Sequence, residues 1–281
     1  MRKFSNLQTL IILGTDSEPE VSGPTLIKFV QYVLSTPEFL LRIYHHPPFD
    51  LCALILSDII GADLQFVLNT GDNEVAHIRF LSGTGRLFRS LRLNKFGTIP
   101  DINGEPSKSI DRLYDILRLC PLLEEFTINH ADSLLASDHE SNYPSLKKVS
   151  ILNLEHYFSL GFLNSVSFNL PNLCEFSLGL NYTANKKTDI IIINMPYSSL
   201  DSLTWHDCTW VNDDNDVEAY IKLKTETGLR YYYCNKHLFL PVDESRYLLA
   251  TQNARFDINC KGLKEFRRTA YLSYPQYNWI F

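Results

Sequence analysis

The chain has 281 residues, 45% of them hydrophobic, which is enough for one large domain or two small ones and excludes a disordered chain. Its 26 Lys and Arg residues stand against 32 Asp and Glu residues, with no dense basic run, so we expect no nucleic-acid ligand. No aliphatic run approaches the roughly 20 residues that span a bilayer, and the N-terminal segment lacks a signal-peptide core. We therefore expect no membrane partner and a location in the cytoplasm or the nucleus.

The first 87 residues carry irregular copies of an apolar-x-x-apolar-x-apolar pattern. The copies are LQTLII from Leu7, LCALIL from Leu51 and VAHIRF from Val75. After the first copy, apolar residues at helical spacing predict a helix from about Thr25 to Pro37. We assign residues 1–87 to irregular N-terminal repeats and leave the register of residues 14–87 open.

Clearer copies of the same pattern occupy residues 88–268. They are FRSLRL from Phe88, LEEFTI from Leu123, LKKVSI from Leu146, LCEFSL from Leu173 and LDSLTW from Leu200, followed by the less regular LRYYYC from Leu229 and LKEFRR from Leu263. The starts at 123, 146, 173 and 200 are 23, 27 and 27 residues apart. Leucine-rich repeats have periods of about 20 to 29 residues, so this spacing indicates repeats of that type.

Two segments between these copies have helical periodicity. One extends from the cap residue Ser109 to Pro121, and the other follows an acidic loop, with Val217, Tyr220 and Ile221 inward and Gly228 as its end. Alternating short strands and helices predict an α/β fold, namely a leucine-rich-repeat solenoid, or horseshoe, with a parallel concave sheet and convex helices. We expect one domain over residues 1–281, in which the apolar residues 269–281 form a C-terminal cap; the alternative for this tail is a partner-binding hook.

The outward positions of the repeat strands are the candidate functional residues. Because side chains alternate along a strand, these positions would line the concave face and bind a protein target. The sharpest candidates are Arg92, Asn94, Glu125, Asn129, Lys148, Glu175, Thr204, His206, Tyr231 and Tyr233. The same rows contain Ser90, Thr127, Ser150, Ser177, Ser202 and Asn235.

The sequence contains no complete catalytic or metal-binding motif. Ser145 and Lys148 have the S-x-x-K spacing of some serine hydrolases, but both lie in a repeat strand and the partner motifs are absent. No two of the six cysteines have the C-x-x-C spacing of zinc or redox sites, and we interpret them as buried free thiols. We therefore predict a protein that is not an enzyme and that needs no cofactor or metal.

With strands such as CPLLEEFTI and LPNLCEFSL, residues 88–268 resemble the ribonuclease-inhibitor-like leucine-rich-repeat region of F-box proteins, the substrate receptors of cullin-based ubiquitin ligases. The resemblance implies that the repeats bind the protein to be ubiquitinated, while a separate F-box binds the ligase adaptor. No leucine- and proline-led F-box segment precedes Phe4, so we expect adaptor docking to need an F-box upstream of this sequence. The alternative is a non-ligase scaffold or inhibitor that uses the same face.

Overall fold

The computed structural model describes residues 9–13, 40–44, 64–69, 81–82, 85–96, 114, 116–131, 133–134, 142–154, 157–158, 160–180, 190–207, 218–235, 238–251, 253–270 and 277–280. The helix predicted from about Thr25 to Pro37 lies outside these residues, as do the strand-like segments that start at Leu51 and Val75.

Strands dominate the described part of the chain. They are β1 (Thr9–Leu13), β2 (Leu40–Tyr44), β3 (Leu64–Asn69), β4 (Phe88–Phe96), β5 (Glu125–Ala131), β6 (Ser133–Leu134), β7 (Lys148–Leu154), β8 (Tyr157–Phe158), β9 (Glu175–Leu180), β10 (Ile190–Asp207), β11 (Ala219–Thr225), β12 (Gly228–Cys234), β13 (Phe239–Val242), β14 (Ala254–Ala270) and β15 (Tyr277–Ile280). The helices are α1 (Leu160–Asn169) and α2 (Glu244–Leu249), and Gly85–Leu87 form a 3₁₀ turn.

Most of these strands form one mixed sheet, in the order β1-β2-β3-β4-β5-β7-β9-β10-β14-β11-β12-β13. Pairing is parallel from β1 through β14 to β11, and it is antiparallel between β11 and β12 and between β12 and β13. β15 pairs antiparallel with β14, and β6 and β8 pair separately. The sheet is therefore not a simple sequential array, because β14 is inserted between β10 and β11.

The core of the parallel region is a ladder of buried apolar side chains. Phe126, Val149, Phe176 and Leu203 lie side by side on four neighbouring strands, in register and at most 4% exposed. Among the residues whose burial is described, the ladder extends from Leu91 on β4 to Phe266 on β14. A second buried row runs parallel to it and comprises Leu93, Ile128, Ile151, Leu178 and Trp205.

Helical segments cover the central part of the ladder. Phe162, Leu163 and Val166 of α1 are buried in the same core as the ladder. Within the predicted helix from Ser109 to Pro121, residues 114 and 116–119 are helical. The two helical segments are joined by a hydrogen bond of 2.8 Å between the Tyr114 and Ser165 hydroxyls.

In the C-terminal part, two long strands fold back on themselves. The ring centroids of Phe256 and Phe266 are 5.1 Å apart. In a straight extended strand, two residues that are ten positions apart would be separated by about 33 Å. β14 must therefore reverse between its two arms, residues 254–260 and 262–270. β10 pairs in register with both arms through its own residues 190–195 and 199–207, so it bends in the same way.

The bent strands divide the C-terminal part into two layers. The front layer comprises β4, β5, β7, β9 and the second arms of β10 and β14, which carry the ladder. The back layer comprises the first arms of β10 and β14 together with β11, β12 and β13. The ring centroids of Trp205 in the front layer and Phe256 in the back layer are 5.5 Å apart, and both residues belong to the same apolar core. The two layers therefore share one core.

The predicted horseshoe with convex helices is therefore wrong. Where a repeat would place a helix behind β10 and β14, the structure has strands, because residues 190–195 open with four isoleucines and residues 254–260 alternate between polar and apolar residues. β-Branched and alternating segments favour the extended conformation. In the described residues, the helical segments that contribute to the core behind the front layer are α1, residues 114 and 116–119, and residues 81–82, of which Leu81 is buried.

Two further predictions in this region are corrected. The segment with Tyr220 and Ile221, predicted as a helix, is the strand β11, whose residues alternate between the two faces of the back layer. The segment from Leu229, predicted as a parallel repeat strand, is β12, which forms an antiparallel hairpin with β11. Gly228 at this turn has φ of 129°, a conformation that L-residues rarely adopt. The hairpin thus replaces a repeat.

Residues 269–281, predicted as a cap, include β15. β15 pairs antiparallel with the second arm of β14, with Phe266 opposite Trp279 and Arg268 opposite Tyr277. The pairing covers the edge of that arm, whereas β11 covers the edge of the first arm. The boundaries at residues 87 and 268 remain predictions.

Candidate protein-interaction surface

The front layer has a polar face on the side opposite the ladder. Strand alternation puts polar residues there wherever the neighbouring residues enter the core. We define the polar face as Ser90, Arg92, Glu125, Thr127, Lys148, Ser150, Glu175, Ser177, Ser202, Thr204, His206, Glu265, Arg267 and Thr269. The structure therefore brings together Arg92, Glu125, Lys148, Glu175, Thr204 and His206 of the predicted site.

One row of the polar face alternates in charge. Ser90, Glu125, Lys148, Glu175, Ser202 and Glu265 are successive partners in register. The Lys148 ammonium lies 3.1 Å from the Glu175 carboxylate, and the Arg267 guanidinium lies 2.5 Å from the Glu265 carboxylate. The pairing with Glu265 raises the pKa of Arg267. Exposed pairs of this kind contribute little to stability, about 0–1 kcal/mol, but they hold the long side chains in place.

A second set of ion pairs lies where the chain enters the front strands. Glu124 accepts hydrogen bonds from Lys147 at 2.8 Å and from Arg89 at 2.7 Å. The hydrogen bond from Lys147, more than that from Arg89, lowers the pKa of Glu124. Asp201 and Lys264 form a further pair at 2.6 Å, which raises the pKa of Lys264. Nearly every charged group along this edge is thus matched by a neighbour on the next strand.

The middle of the polar face consists of small hydroxyl side chains. Thr127, Ser150, Ser177 and Thr204 are successive register partners on β5, β7, β9 and β10, and we call them the hydroxyl row. Among the described residues, none of these four hydroxyls has a hydrogen-bond partner. Arg92 stands at one end of the row and Arg267 at the other. The row is therefore a strip of unused donors and acceptors, in which Thr127 and Ser177 are partly exposed and Ser150 and Thr204 are 9% and 8% exposed.

Beyond the hydroxyl row, His206 and Thr269 lie next to each other in the register of β10 and β14. The His206 Nδ1 and Thr269 Oγ1 atoms are 2.6 Å apart and share a hydrogen bond. Asn94 and Asn129 face each other on β4 and β5, but their side chains lie outside the described part.

Two predicted site residues are not on the polar face. Tyr231 and Tyr233 belong to β12 in the back layer, where α2 covers them. The Tyr233 side chain is only 8% exposed and donates a hydrogen bond of 2.7 Å to Glu218, while Tyr231 donates one of 2.7 Å to Glu244 of α2. The bond to Glu244 raises the pKa of Tyr231 to about 12. Asn235 also belongs to this group, because its amide donates to the Tyr233 hydroxyl.

Three residues of the polar face, Glu265, Arg267 and Thr269, were not among the predicted site residues. They are the outward positions of LKEFRR from Leu263 and the strand residue that follows, so the alternation rule would have found them. The alternation of polar and apolar residues in LKEFRR is the same as in the other strands. These residues were not predicted because LKEFRR is one of the less regular copies of the pattern.

The described residues that could suggest chemistry have ordinary structural roles. The Ser145 hydroxyl donates to the Pro121 carbonyl at 2.8 Å, whereas Lys148 pairs with Glu175. Burial raises the pKa values of the Cys120, Cys234 and Cys260 thiols to about 12, which makes these thiols poor nucleophiles. Within the described ranges, no three His, Cys, Asp or Glu side chains are grouped as a metal site would require.

A search for bilayer-spanning helices in the described ranges found none of sufficient length and apolarity. Comparisons with models of protein families, with curated proteins and with solved structures gave no match to this chain.

Proposed function

We propose that this chain is a protein-binding module that uses the polar face of its front layer and carries out no chemistry itself. The observation that carries the proposal is the hydroxyl row. Thr127, Ser150, Ser177 and Thr204 are held in register on four strands and leave their hydrogen-bonding capacity unused within the described part of the chain.

The chemistry of the hydroxyl row suits a polypeptide. Each hydroxyl can donate one hydrogen bond and accept others, so it can meet either a backbone N–H or a backbone C=O. Neighbouring hydroxyls are about 4.8 Å apart because this is the spacing between paired strands. Each new hydrogen bond contributes about 0.5–1.5 kcal/mol net. Several such bonds, formed together, give moderate affinity without a deep pocket.

The face is also rigid before a partner arrives. The side chains behind the hydroxyl row form the buried ladder, and two of the flanking charge pairs, Lys148 with Glu175 and Arg267 with Glu265, are in contact. A preordered face loses less conformational entropy on binding than a flexible loop does. This supports recognition by a fixed surface.

Two narrower functions fit such a module. One is the substrate receptor of an F-box-type ubiquitin ligase, which rests on the resemblance of the repeat strands. The other is a non-ligase scaffold or inhibitor. The two differ in whether a ligase adaptor and a cullin accompany the bound protein, so co-purification from cells separates them.

Site-specific photo-crosslinking tests the proposal. A photoreactive amino acid is placed at Ser177 in the hydroxyl row and, as the matched control, at Lys224, an exposed residue of the back layer. We expect a discrete protein adduct from position 177 that is absent from position 224. Equal adduct patterns from the two positions, or none from position 177, would rule out binding by the polar face.

A further inference from the structure

Arg92 differs electrostatically from the other cations of the polar face. Lys148 and Arg267 each have a carboxylate partner, as do Lys147 and Lys264 on the neighbouring edge. Arg92 has no ion pair or hydrogen bond in the described part of the chain, and its Nε atom is buried without a partner. A cation that is already partly desolvated and unpaired gains more from an incoming anion than a paired one does.

Arg92 adjoins one end of the hydroxyl row. Thr127 lies directly opposite Arg92 on β5, and the hydroxyl row continues from there across three more strands. Ser90, two residues earlier on β4, lies on the same face and directs its hydroxyl to Glu125 at 3.4 Å. The guanidinium therefore stands at the head of a strip of small side chains, with no bulky described residue between it and the strip.

Building on the proposed function, we propose that the partner is a protein segment in extended conformation that lies along the hydroxyl row and pairs an Asp or Glu side chain with Arg92. The complementarity of charge selects the acidic group, because Arg92 is a cation of the polar face that the described residues leave unmatched. The hydroxyls select an extended backbone, because they can meet its donors and acceptors alike. A guanidinium can hold a carboxylate through two parallel hydrogen bonds, which also determines the direction of the segment.

The test uses the full chain and a library of random peptides displayed on phage at the N-terminus of a coat protein, so that no free peptide C-terminus is present. Selection is carried out on the wild-type chain. The selected peptides are then measured by fluorescence anisotropy against wild type, Arg92→Gln, Lys147→Gln and Ser177→Tyr. Lys147→Gln removes the same charge from the neighbouring edge, and Ser177→Tyr fills the middle of the hydroxyl row. Thermal unfolding followed by circular dichroism confirms that each variant is folded.

We expect peptides rich in Asp or Glu whose affinity falls about tenfold or more in Arg92→Gln, the loss typical of a charge-assisted hydrogen bond, and less than about twofold in Lys147→Gln. Two results would overturn this inference and leave the proposed function standing. In both, Ser177→Tyr weakens binding of the selected peptides, but either these peptides lack acidic residues or their affinity is unchanged in Arg92→Gln. If Ser177→Tyr weakens no selected peptide, the proposed function and the inference both fail.

Discussion

The central region of the molecule and its C-terminal region present the same front layer but close it from behind in different ways. In the central region, α1 and the helical residues 114 and 116–119 cover the ladder formed by Phe126, Val149 and Phe176. In the C-terminal region, the first arms of β10 and β14 cover the ladder formed by Leu203 and Phe266. One kind of ladder therefore accepts either a helix or a strand behind it.

This difference shows that the repeated strand motif and the connecting segment are independent. The motif needs only apolar residues at the inward positions, and both regions supply them. The connection adopts whatever its own residues favour, provided that it also buries an apolar side. α1 reads LGFLNSVSFN and buries Phe162, Leu163 and Val166, whereas residues 254–260 bury Phe256, Ile258 and Cys260 by alternation.

The seam between the two regions, where α1 meets the bend of β10, includes two hydrogen bonds. Ser167, a fully buried residue of α1, accepts a hydrogen bond from the backbone N–H of Tyr197 at 2.8 Å and one from the Ser198 hydroxyl at 3.0 Å. Tyr197 and Ser198 lie at the bend of β10. The Ser167 hydroxyl thus links α1 to the bend of β10, next to the edge-on contact between the rings of Phe168 and Tyr197, whose centroids are 5.4 Å apart.

The largest effect is expected from emptying the core behind either region. Phe162→Ala removes a ring that α1 contributes, and Phe256→Ala removes one that the back layer contributes; both rings are fully buried. Each should lower the free energy of unfolding by about 3–5 kcal/mol, measured by urea denaturation. Phe168→Ala, at an exposed position of α1, is the control and should cost under about 1 kcal/mol.

If the two regions were separate folding units, Phe256→Ala would produce a second, earlier transition that Phe162→Ala does not. A single transition shifted by similar amounts in both variants is the result that one shared core requires.

The next effect concerns the seam. Ser167→Ala leaves the Tyr197 N–H without its partner, and we expect a loss of about 1–3 kcal/mol in the free energy of unfolding. Ser198→Ala keeps the bond from Tyr197 to Ser167 and should cost about 0.5–1.5 kcal/mol. Equal losses in the two variants would show that the Tyr197 N–H does not depend on Ser167.

A smaller effect tests whether β14 folds back on itself. A double-mutant cycle of Phe256→Ala and Phe266→Ala should give a coupling energy of about 0.5–1.5 kcal/mol, because the two rings are in contact. A cycle of Phe256→Ala and Phe88→Ala should give a coupling near zero, since β4 is five strand positions from β14. A straight β14 would make both cycles additive.

The smallest effect is electrostatic. Glu124→Gln removes the bridge to Arg89 and Lys147, and it should lower the free energy of unfolding at pH 7 by no more than about 1 kcal/mol, because all three groups are partly exposed. The pKa of Glu124 is lowered from 4.5 in the folded state. Its contribution is therefore complete above pH 4.5 and is lost as the pH falls through the folded-state pKa.

Urea denaturation of wild type and Glu124→Gln at several pH values measures this difference. Because only solvent-accessible charges are involved, 1 M salt should reduce it. A difference between the two proteins that persists at pH 2 would contradict an ionic origin.

Much of the front layer could be predicted because its signal is local. The inward residues of LEEFTI, LKKVSI, LCEFSL and LDSLTW repeat at nearly constant spacing, and their burial in one ladder follows from strand geometry. The same alternation identified most of the polar face. It could not identify Tyr231 and Tyr233 as covered residues, because α2, which buries them, follows β12 in the chain and contacts it only in the folded protein.

The sequence by itself determined which residues of the repeat strands enter the core and which remain outside, since alternation along a strand is a property of the backbone. Only the tertiary structure decided what lies behind those strands, where β14 is inserted and which tyrosines are covered. These features depend on contacts between segments that are far apart in the chain, such as the pairing of residues 190–195 with residues 255–260. No local sequence pattern specifies which two strands pair with each other.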